Sequence, residues 1–277
     1  MDHIIVPELR KTSEIPYHAD TAPGQRYVFI AKDVFPFTAF YVVGRKVIEV
    51  PHDQPKWLEP HRHNCPTYYI LVGNRADLTG LQAQVSIEHL SLSVESPVAI
   101  FLPPYAFHSY RLIGGSGWSF HANTRPDYSE SLVPEDAATK SFDGLQPDDV
   151  ANAATPLPPG ISSKGEADPT SRPSRPLQWR FIGPEVFSDP WVELDLWQFT
   201  PAQFCQYGTW RWAATNSDQI SLLFSQHEDQ LELLVCSDNN SHHVRSPVTF
   251  YHQKGLPYSY EYLKGSGFLM RIKRLEK

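Results

Sequence analysis

Two histidines separated by one residue, His61 and His63, have the spacing in this chain that most directly indicates chemistry. They lie in the stretch PHRHNCPTYYILVG at 60–73, where an apolar run follows them. Side chains at positions i and i+2 of an extended strand point to the same face, so both imidazoles can reach one ion. A third histidine, His108, follows a proline-rich turn in PPYAFHSY at 103–110. These three histidines are the candidate ligands of one metal ion.

An internal repeat organises the chain around these residues. Three pairs of short segments match at an offset of 150 or 152 residues: SPVAIF (96–101) with SPVTFY (246–251), GGSGW (114–118) with KGSGF (264–268), and FIAKDVF (29–35) with FIGPEVF (181–187). Self-similarity at a nearly constant offset is the signature of a repeated structural unit. The sequence therefore predicts a duplicated domain.

The elements of each repeat are predicted to be strands. Runs rich in β-branched and aromatic residues alternate with turn residues, and the chain contains 25 prolines and 15 glycines. The predicted strands are 39–50, 67–73, 81–92 and 97–103 in the first half, and 191–199, 219–225, 230–237 and 267–275 in the second. Helical periodicity is weak outside 145–154. Many short strands with frequent turns favour a sandwich or a barrel in each repeat.

The composition between the repeats changes. The segment 129–176 is rich in Pro, Ser, Asp, Gly and Ala and poor in large apolar residues, which is typical of a linker. We therefore predict four parts: an N-terminal extension at 1–23, a metal-binding domain at 24–128, the linker at 129–176, and a second domain without metal ligands at 177–277.

The order of these motifs resembles the cupin superfamily. The HxH pair, the apolar strand, the hairpin, PPYAFHS and the glycine turn are similar to the two cupin motifs, and the resemblance covers both repeats. It implies an all-β fold of two cupin-type barrels (the double-stranded β-helix, or jelly roll) joined by a long linker. In cupins the HxH pair and one histidine of the second motif bind a metal inside the barrel, and this implies His61, His63 and His108 as ligands here.

The sequence departs from the cupin pattern at the acidic ligand. A Glu usually follows the second histidine by about four residues, but positions 64–69 contain no acid. Three neutral imidazoles leave a divalent ion with its full charge of +2, which favours an anionic substrate. Glu59 is a candidate replacement, Cys65 is interpreted as a buried inert thiol, and Tyr68 or Tyr69 is expected near the vacant position.

The second repeat tests the ligand assignment. At the repeat offset Tyr258 matches His108, and the HxH pair falls within Arg211–Thr215, which contains no histidine. The adjacent pair His242 and His243 would diverge on an extended strand. We therefore predict one divalent metal per chain, in the first barrel.

Three further residues are candidates for proton transfer. Tyr69 lies on the strand that should line the barrel, Tyr110 shares the strand face of His108, and His121 lies on a late strand in GWSFHAN. For Tyr69, a core aromatic ring with a satisfied hydroxyl is the competing interpretation. His121 is either a base beside the metal or an additional ligand.

Three functions fit the predicted site. The first is a mononuclear non-haem Fe(II) oxygenase, a dioxygenase-type oxidoreductase that binds O2 and a small polar or anionic metabolite. The second is a lyase or isomerase in which zinc, nickel or manganese acts as a Lewis acid. The third is a small-molecule-binding protein without catalysis.

The overall composition and charge argue against several other classes of protein. The 31 acidic against 24 basic residues give a formal charge of −7, which argues against a nucleic-acid partner. No window reaches the apolar length that spans a membrane. The three cysteines, odd in number and widely spaced, fit a reducing compartment, so we predict a cytoplasmic protein. The resemblance to cupins also implies a homodimer.

Overall fold

The structure is a computed structural model, and it describes most of the chain. The described residues are 4–6, 8–12, 15–18, 24–50, 57–134, 142–157, 177–201, 210–212, 217–226, 230–237 and 240–275. Among them, neither of the two helices, each a single turn, has the length and apolar character needed to cross a membrane.

Strands make up nearly all of the regular structure, which confirms the all-β prediction. The first ten strands are β1 (Ile4–Ile5), β2 (Arg10–Thr12), β3 (Arg26–Ile30), β4 (Tyr41–Val47), β5 (Thr67–Gly73), β6 (Leu81–Ile87), β7 (Leu90–Glu95), β8 (Val98–Leu102), β9 (His108–Gly115) and β10 (Gly117–Asn123). Two one-turn helices follow, α1 (Tyr128–Ser131) and α2 (Pro147–Val150).

The remaining strands lie after the helices. They are β11 (Ala151–Ala153), β12 (Thr155–Leu157), β13 (Leu177–Ile182), β14 (Val192–Phe199), β15 (Trp210–Trp212), β16 (Gln219–Phe224), β17 (Glu232–Ser237), β18 (Asn240–Arg245), β19 (Val248–His252), β20 (Tyr258–Lys264) and β21 (Gly267–Arg274).

The chain divides into two compact units, and each is built from two sheets. Residues 10–154 form one unit, with a seven-stranded sheet in the order β11-β8-β5-β10-β4-β3-β2 and a three-stranded sheet β7-β6-β9. Residues 1–9 and 155–277 form the other, with sheets β1-β19-β16-β21-β14-β13-β12 and β15-β20-β17-β18. The strand orders of the two seven-stranded sheets correspond element by element, so the predicted duplication is visible in the topology.

Two repeated details explain why the sequence motifs are shared. Ser96 Oγ accepts a hydrogen bond from the Leu81 N–H at 3.0 Å, and Ser246 Oγ accepts one from the Leu231 N–H at 3.1 Å. Gly115 and Gly265 have φ angles of +80° and +86°, and a Cβ at either would meet a backbone oxygen within 2.0 Å. Both motif glycines are therefore required by close backbone approach as well as by their dihedral angles.

The edges of each large sheet are completed by segments from outside the repeat. β11 pairs with β8 in the first barrel, and β1 occupies the matching position beside β19 in the second. Within the predicted linker, residues 129–134 and 142–157 are described and contain part of α1 together with α2, β11 and β12, whereas 135–141 and 158–176 lie outside the described residues. The predicted domain boundaries stay predictions.

The interior of the second barrel contains an ion network. Asp195 is almost fully buried and accepts hydrogen bonds from Arg180 Nε and from Arg271 Nη2, the latter at 2.9 Å. Arg180 also pairs with Glu185 at 2.6 Å, and the Arg271 guanidinium lies 4.8 Å from the centre of the Trp197 ring. Because two guanidinium groups surround one buried carboxylate, the carboxylate charge is compensated locally.

A buried histidine lies beside this network. His252 stacks on Tyr258 with ring centres 3.9 Å apart, and its Nε2 is 2.8 Å from the Tyr260 hydroxyl. Burial, with a smaller effect of the Arg271 charge, lowers the pKa of His252 to about 3. In the unfolded chain His252 would have a pKa near 6.5. Between pH 3 and pH 6.5, unfolding is therefore accompanied by the uptake of a proton by His252. The stability that neutral His252 contributes is therefore complete above pH 6.5 and is lost as the pH falls toward 3.

We predict that the stability of a His252→Gln variant depends less on pH than that of the wild type. Between pH 6 and pH 4 the free energy of unfolding should fall less steeply, by up to about 1.4 kcal/mol per pH unit. Urea unfolding at several pH values measures this slope. His89→Gln, at an exposed histidine, is the control, and an unchanged slope in His252→Gln would show that His252 does not titrate as described.

Candidate metal centre

The three predicted histidines meet where the segment before β5 pairs with the start of β9. The His61 N–H donates to the His108 carbonyl at 3.1 Å, and the His108 N–H donates to the His61 carbonyl at 3.0 Å. This bridge joins the HxH segment to the start of β9, and His63 forms a second bridge to Leu132. The backbone thus fixes all three histidines relative to one another.

The side chains of these histidines converge. One ring nitrogen from each of His61, His63 and His108 lies within 4.8 Å of the others, and the residues are 4%, 2% and 2% exposed. Their ring centres are 4.5 to 5.3 Å apart. The spacing and burial fit a single ion held by three imidazoles. We call His61, His63 and His108 the metal cluster.

Backbone carbonyls fix the tautomer of two of the histidines. His61 Nδ1 lies 2.8 Å from the Glu59 carbonyl, and His108 Nδ1 lies 3.0 Å from the Ala106 carbonyl. A carbonyl oxygen only accepts hydrogen bonds, so both Nδ1 atoms carry the proton. Nε2 of each ring is therefore left with a lone pair, which is the form that binds a metal.

The tautomer of His63 is fixed by a serine. Ser131 Oγ donates to the Tyr128 carbonyl at 2.6 Å and accepts from Asn123 Nδ2 at 3.1 Å. His63 Nδ1 lies 2.8 Å from the same hydroxyl. Because the single serine proton goes to the carbonyl, His63 Nδ1 must donate, and its Nε2 also presents a lone pair.

A short helix supplies this serine. Asp127 caps α1 by accepting hydrogen bonds from the Ser129 and Glu130 N–H groups, which places Ser131 and Tyr128 on its buried side. Lys32 pairs with both Asp127 and Glu130, at 3.0 and 2.6 Å. The helix is thereby held against the barrel at the point where it contacts His63.

The electrostatics keep the cluster neutral. Burial lowers the pKa of His61, and it lowers that of His63 well below the usual value, with smaller effects from neighbouring histidines. Burial and then His61 lower the pKa of His108 to about 3. All three rings are therefore uncharged at neutral pH and ready to bind a cation without first losing a proton.

The candidate proton-transfer residues surround this cluster. The His121 ring centre is 5.2 Å from that of His63 and 5.0 Å from that of Tyr69, and the Tyr69 ring is 6.0 Å from His108. Tyr110 packs on Tyr69 at 4.4 Å, and its hydroxyl lies 3.5 Å from Ser119 Oγ. The structure thus places Tyr69, Tyr110 and His121 together beside the metal cluster, and their catalytic roles stay predictions.

Sequence reasoning missed three residues of the site. His18 stacks on His121 with ring centres 5.0 Å apart, and the Tyr128 hydroxyl lies 3.3 Å from His61 Nε2. Ser131 is the third. His18 and the α1 residues lie outside the cupin motifs, so no spacing pointed to them. Proximity of 128–131 to the predicted end of the domain was the only available signal.

No carboxylate among the described residues joins the cluster. Glu59 is exposed, and the contact it makes to His61 is through its backbone carbonyl. Cys65 is buried, and burial raises the pKa of its thiol. The Tyr68 ring packs on Phe101, whereas the next residue, Tyr69, contacts the histidines, as strand alternation requires.

A small pocket opens beside the cluster. It is lined by Tyr17, Pro60, His61, Arg62, Phe107 and Val133. Tyr17 stacks on His61 with ring centres 5.2 Å apart, and the Arg62 guanidinium lies 5.1 Å from the centre of the Phe107 ring. The candidate ligand His61 is thus part of the lining of this pocket.

The second barrel contains different residues at the matching positions. Tyr258, which matches His108, donates a hydrogen bond to Gln219. Residues 211 and 212 lie in β15, but 213–216 fall outside the described residues, so the counterpart of the HxH pair is only partly described. The residue that matches the candidate metal ligand His108 thus makes a hydrogen bond to a neighbouring side chain.

Comparison with solved structures identifies the fold. AerE from Microcystis aeruginosa aligns over 98% of this chain and 99% of its own, with 12% identity and a TM-score of 0.55. Oxalate decarboxylase from Bacillus subtilis, in a structure at pH 4.6, aligns over 99% and 76%, with 10% identity and a TM-score of 0.60. The coconut allergen cocosin aligns over 100% and 86%, with 8% identity and a TM-score of 0.61. No family model and no curated protein matches the sequence.

The fold is the two-barrel fold of these solved structures. The chain has the bicupin fold, as the resemblance implied, with a three-histidine cluster that fits a metal in its first barrel.

We predict that Ser131→Ala weakens metal binding. The substitution removes the acceptor that fixes His63 in its metal-binding tautomer, and such losses lower metal affinity about 10- to 100-fold. Competition of Zn(II) between the protein and a chromophoric chelator measures the affinity. Ser129→Ala, an exposed serine in the same helix, should retain wild-type affinity, and an equal loss in both variants would contradict this role of Ser131.

Proposed function

We propose that this chain is a metal-dependent enzyme that acts on a small anionic metabolite, and that its reaction is an Fe(II)-dependent oxygenation with O2. The observation that carries the metal assignment is the convergence of three Nε2 lone pairs whose Nδ1 protons are all held by other groups. Three lone pairs facing one point repel each other, and a cation at that point relieves the repulsion.

When bound, an iron ion would supply open coordination positions for substrate and O2. His61, His63 and His108 would hold it. The charge of the site supports an anionic substrate, because three neutral imidazoles, with no carboxylate beside them among the described residues, would leave a buried divalent ion uncompensated.

The residues around the metal cluster have separate roles in this proposal. The Tyr17 ring stacks on His61 and the Tyr128 hydroxyl lies beside His61 Nε2, so both would limit the access of water to this ligand. His121, which contacts both His63 and Tyr69, is placed to move a proton to or from a bound substrate. Tyr69 and Tyr110 would orient the substrate from the neighbouring strands.

A lyase or isomerase reaction is the second candidate. The observation that favours it is the number of proton-carrying side chains beside the cluster, since His121 and Tyr69 both contact the ligand histidines. Manganese is an alternative metal for that chemistry, as a structure of Bacillus subtilis oxalate decarboxylase concerns Mn(II) centres. A cytoplasmic location and a homodimer remain part of the proposal.

Metal content and oxygen uptake test the proposal. We expect protein purified without oxygen to contain one iron per chain and to consume O2 with at least one member of a panel of small carboxylic acids. His61→Ala should contain almost no metal and consume no O2, whereas His89→Ala, at an exposed position, should match the wild type.

The outcomes separate the alternatives. Turnover with manganese, zinc or nickel in the absence of O2 uptake would overturn the oxygenase and leave the lyase or isomerase. Metal binding without turnover of any acid would favour a binding protein. Full metal content in His61→Ala would contradict the site itself.

A further inference from the structure

Three polar side chains beside the metal cluster have no hydrogen-bond partner among the described residues. They are His18 at Nε2, His121 at both ring nitrogens, and Tyr69 at its hydroxyl. These residues are 4%, 4% and 1% exposed. His121 is the central member, with ring centres 5.0 Å from those of both His18 and Tyr69. We call these three residues the polar subsite.

The placement of His18 is held by several interactions. Its N–H donates to the Ile15 carbonyl at 3.0 Å, and its own carbonyl accepts a hydrogen bond from Arg26. The Tyr128 hydroxyl donates to the Pro16 carbonyl at 3.1 Å. The described segment 15–18 is therefore anchored to the barrel, and the His18 ring is fixed against His121.

A buried polar atom without a partner costs free energy, and such atoms in a native protein call for an explanation. Here four such atoms belong to one contact cluster next to three candidate metal ligands. The polar subsite and the metal cluster adjoin, since His18 contacts His61 and His121 contacts His63, with ring centres 5.2 Å apart in each pair. A ligand that reaches the metal also lies within reach of these atoms.

The hydrogen-bond donors and acceptors of the polar subsite indicate which functional group of a ligand can bind there. A neutral imidazole with both nitrogens unpartnered offers one N–H donor and one lone pair, and a phenol both donates and accepts. A carboxylate only accepts hydrogen bonds, so the lone pairs of the imidazole nitrogen and the phenol oxygen would still have no donor. A hydroxyl group, which donates and accepts at once, satisfies both. The same reasoning applies to an enol.

We propose that His18, His121 and Tyr69 bind a hydroxyl or enol group of the substrate while its carboxylate lies at the metal cluster. This inference rests on the proposed function, and it narrows the substrate to small hydroxy acids or enol acids. His18 also contacts both His121 and the candidate ligand His61, so it lies between the polar subsite and the metal cluster.

Binding of simple acids to the Co(II)-loaded protein tests the proposal. The absorption bands of bound Co(II) report acids that approach the ion, and the titration compares 3-hydroxypropionate with propionate and 4-hydroxybutyrate with butyrate. We expect at least one hydroxy acid to bind the wild type about tenfold more tightly than its parent acid, a difference of about 1.4 kcal/mol. Neither comparison requires turnover, so the test is independent of the reaction type.

The variants remove the polar atoms and keep the rings. Tyr69→Phe, His121→Phe and His18→Phe should each reduce the tenfold preference to less than about threefold while the parent acid binds as before. Tyr68→Phe is the matched control, because the Tyr68 ring packs on Phe101 on the other face of the same strand. This control should retain the full preference.

Failure of the proposed function and failure of the polar subsite give different results in this experiment. If Co(II) does not bind, or no acid alters its spectrum, the proposed function fails at the metal site. If the acids bind but no hydroxy acid is preferred, the polar subsite is overturned while the metal site stands. If His121→Phe loses Co(II) as completely as His61→Ala, then His121 is a ligand and the polar subsite is overturned.

Discussion

The metal cluster depends on three hydrogen bonds that each place a proton on Nδ1. Two of them end on backbone carbonyls, those of Glu59 and Ala106, and the third ends on Ser131. Were any of these protons on Nε2 instead, the ring would present a donor to its neighbours and could not bind a cation. The backbone pairing of His61 with His108 and the position of α1 therefore act on the metal site through the tautomers they impose.

The duplicated fold shows the same interior positions used for two purposes. In the first barrel His121 on β10 lies opposite Val43 on β4. The matching positions of the second barrel are Arg271 on β21 and Asp195 on β14, which also lie opposite each other. In the first barrel both His121 nitrogens have no hydrogen-bond partner among the described residues. In the second barrel Arg271 donates a hydrogen bond to Asp195, so the two opposite charges compensate each other. At this position the second barrel therefore compensates its own charges, whereas the first barrel leaves polar atoms that a ligand could bind.

Sequence patterns predicted the fold better than they predicted the surroundings of the site. β5 was predicted with its observed bounds, because alternation and turn residues mark it clearly. The prediction of one strand at 81–92 missed the turn at Glu88, where φ is +52° in a residue that gives no turn signal. The candidate ligands were predicted from the spacing of His61 and His63 and from the resemblance to the cupin motifs. His18 and Ser131, in contrast, reach the site from segments distant in sequence from that pair. Contacts of that kind depend on tertiary packing, which periodicity does not encode.

The missing glutamate has consequences for what the first barrel can bind. A divalent ion among His61, His63 and His108 keeps a charge of +2 in a place that water reaches poorly, since all three side chains are buried. His121 and Tyr69 are uncharged there, because burial lowers the pKa of the imidazole and raises the pKa of the phenol. No carboxylate among the described residues joins the cluster, so under the proposed function an anionic group of the substrate would supply the compensating charge.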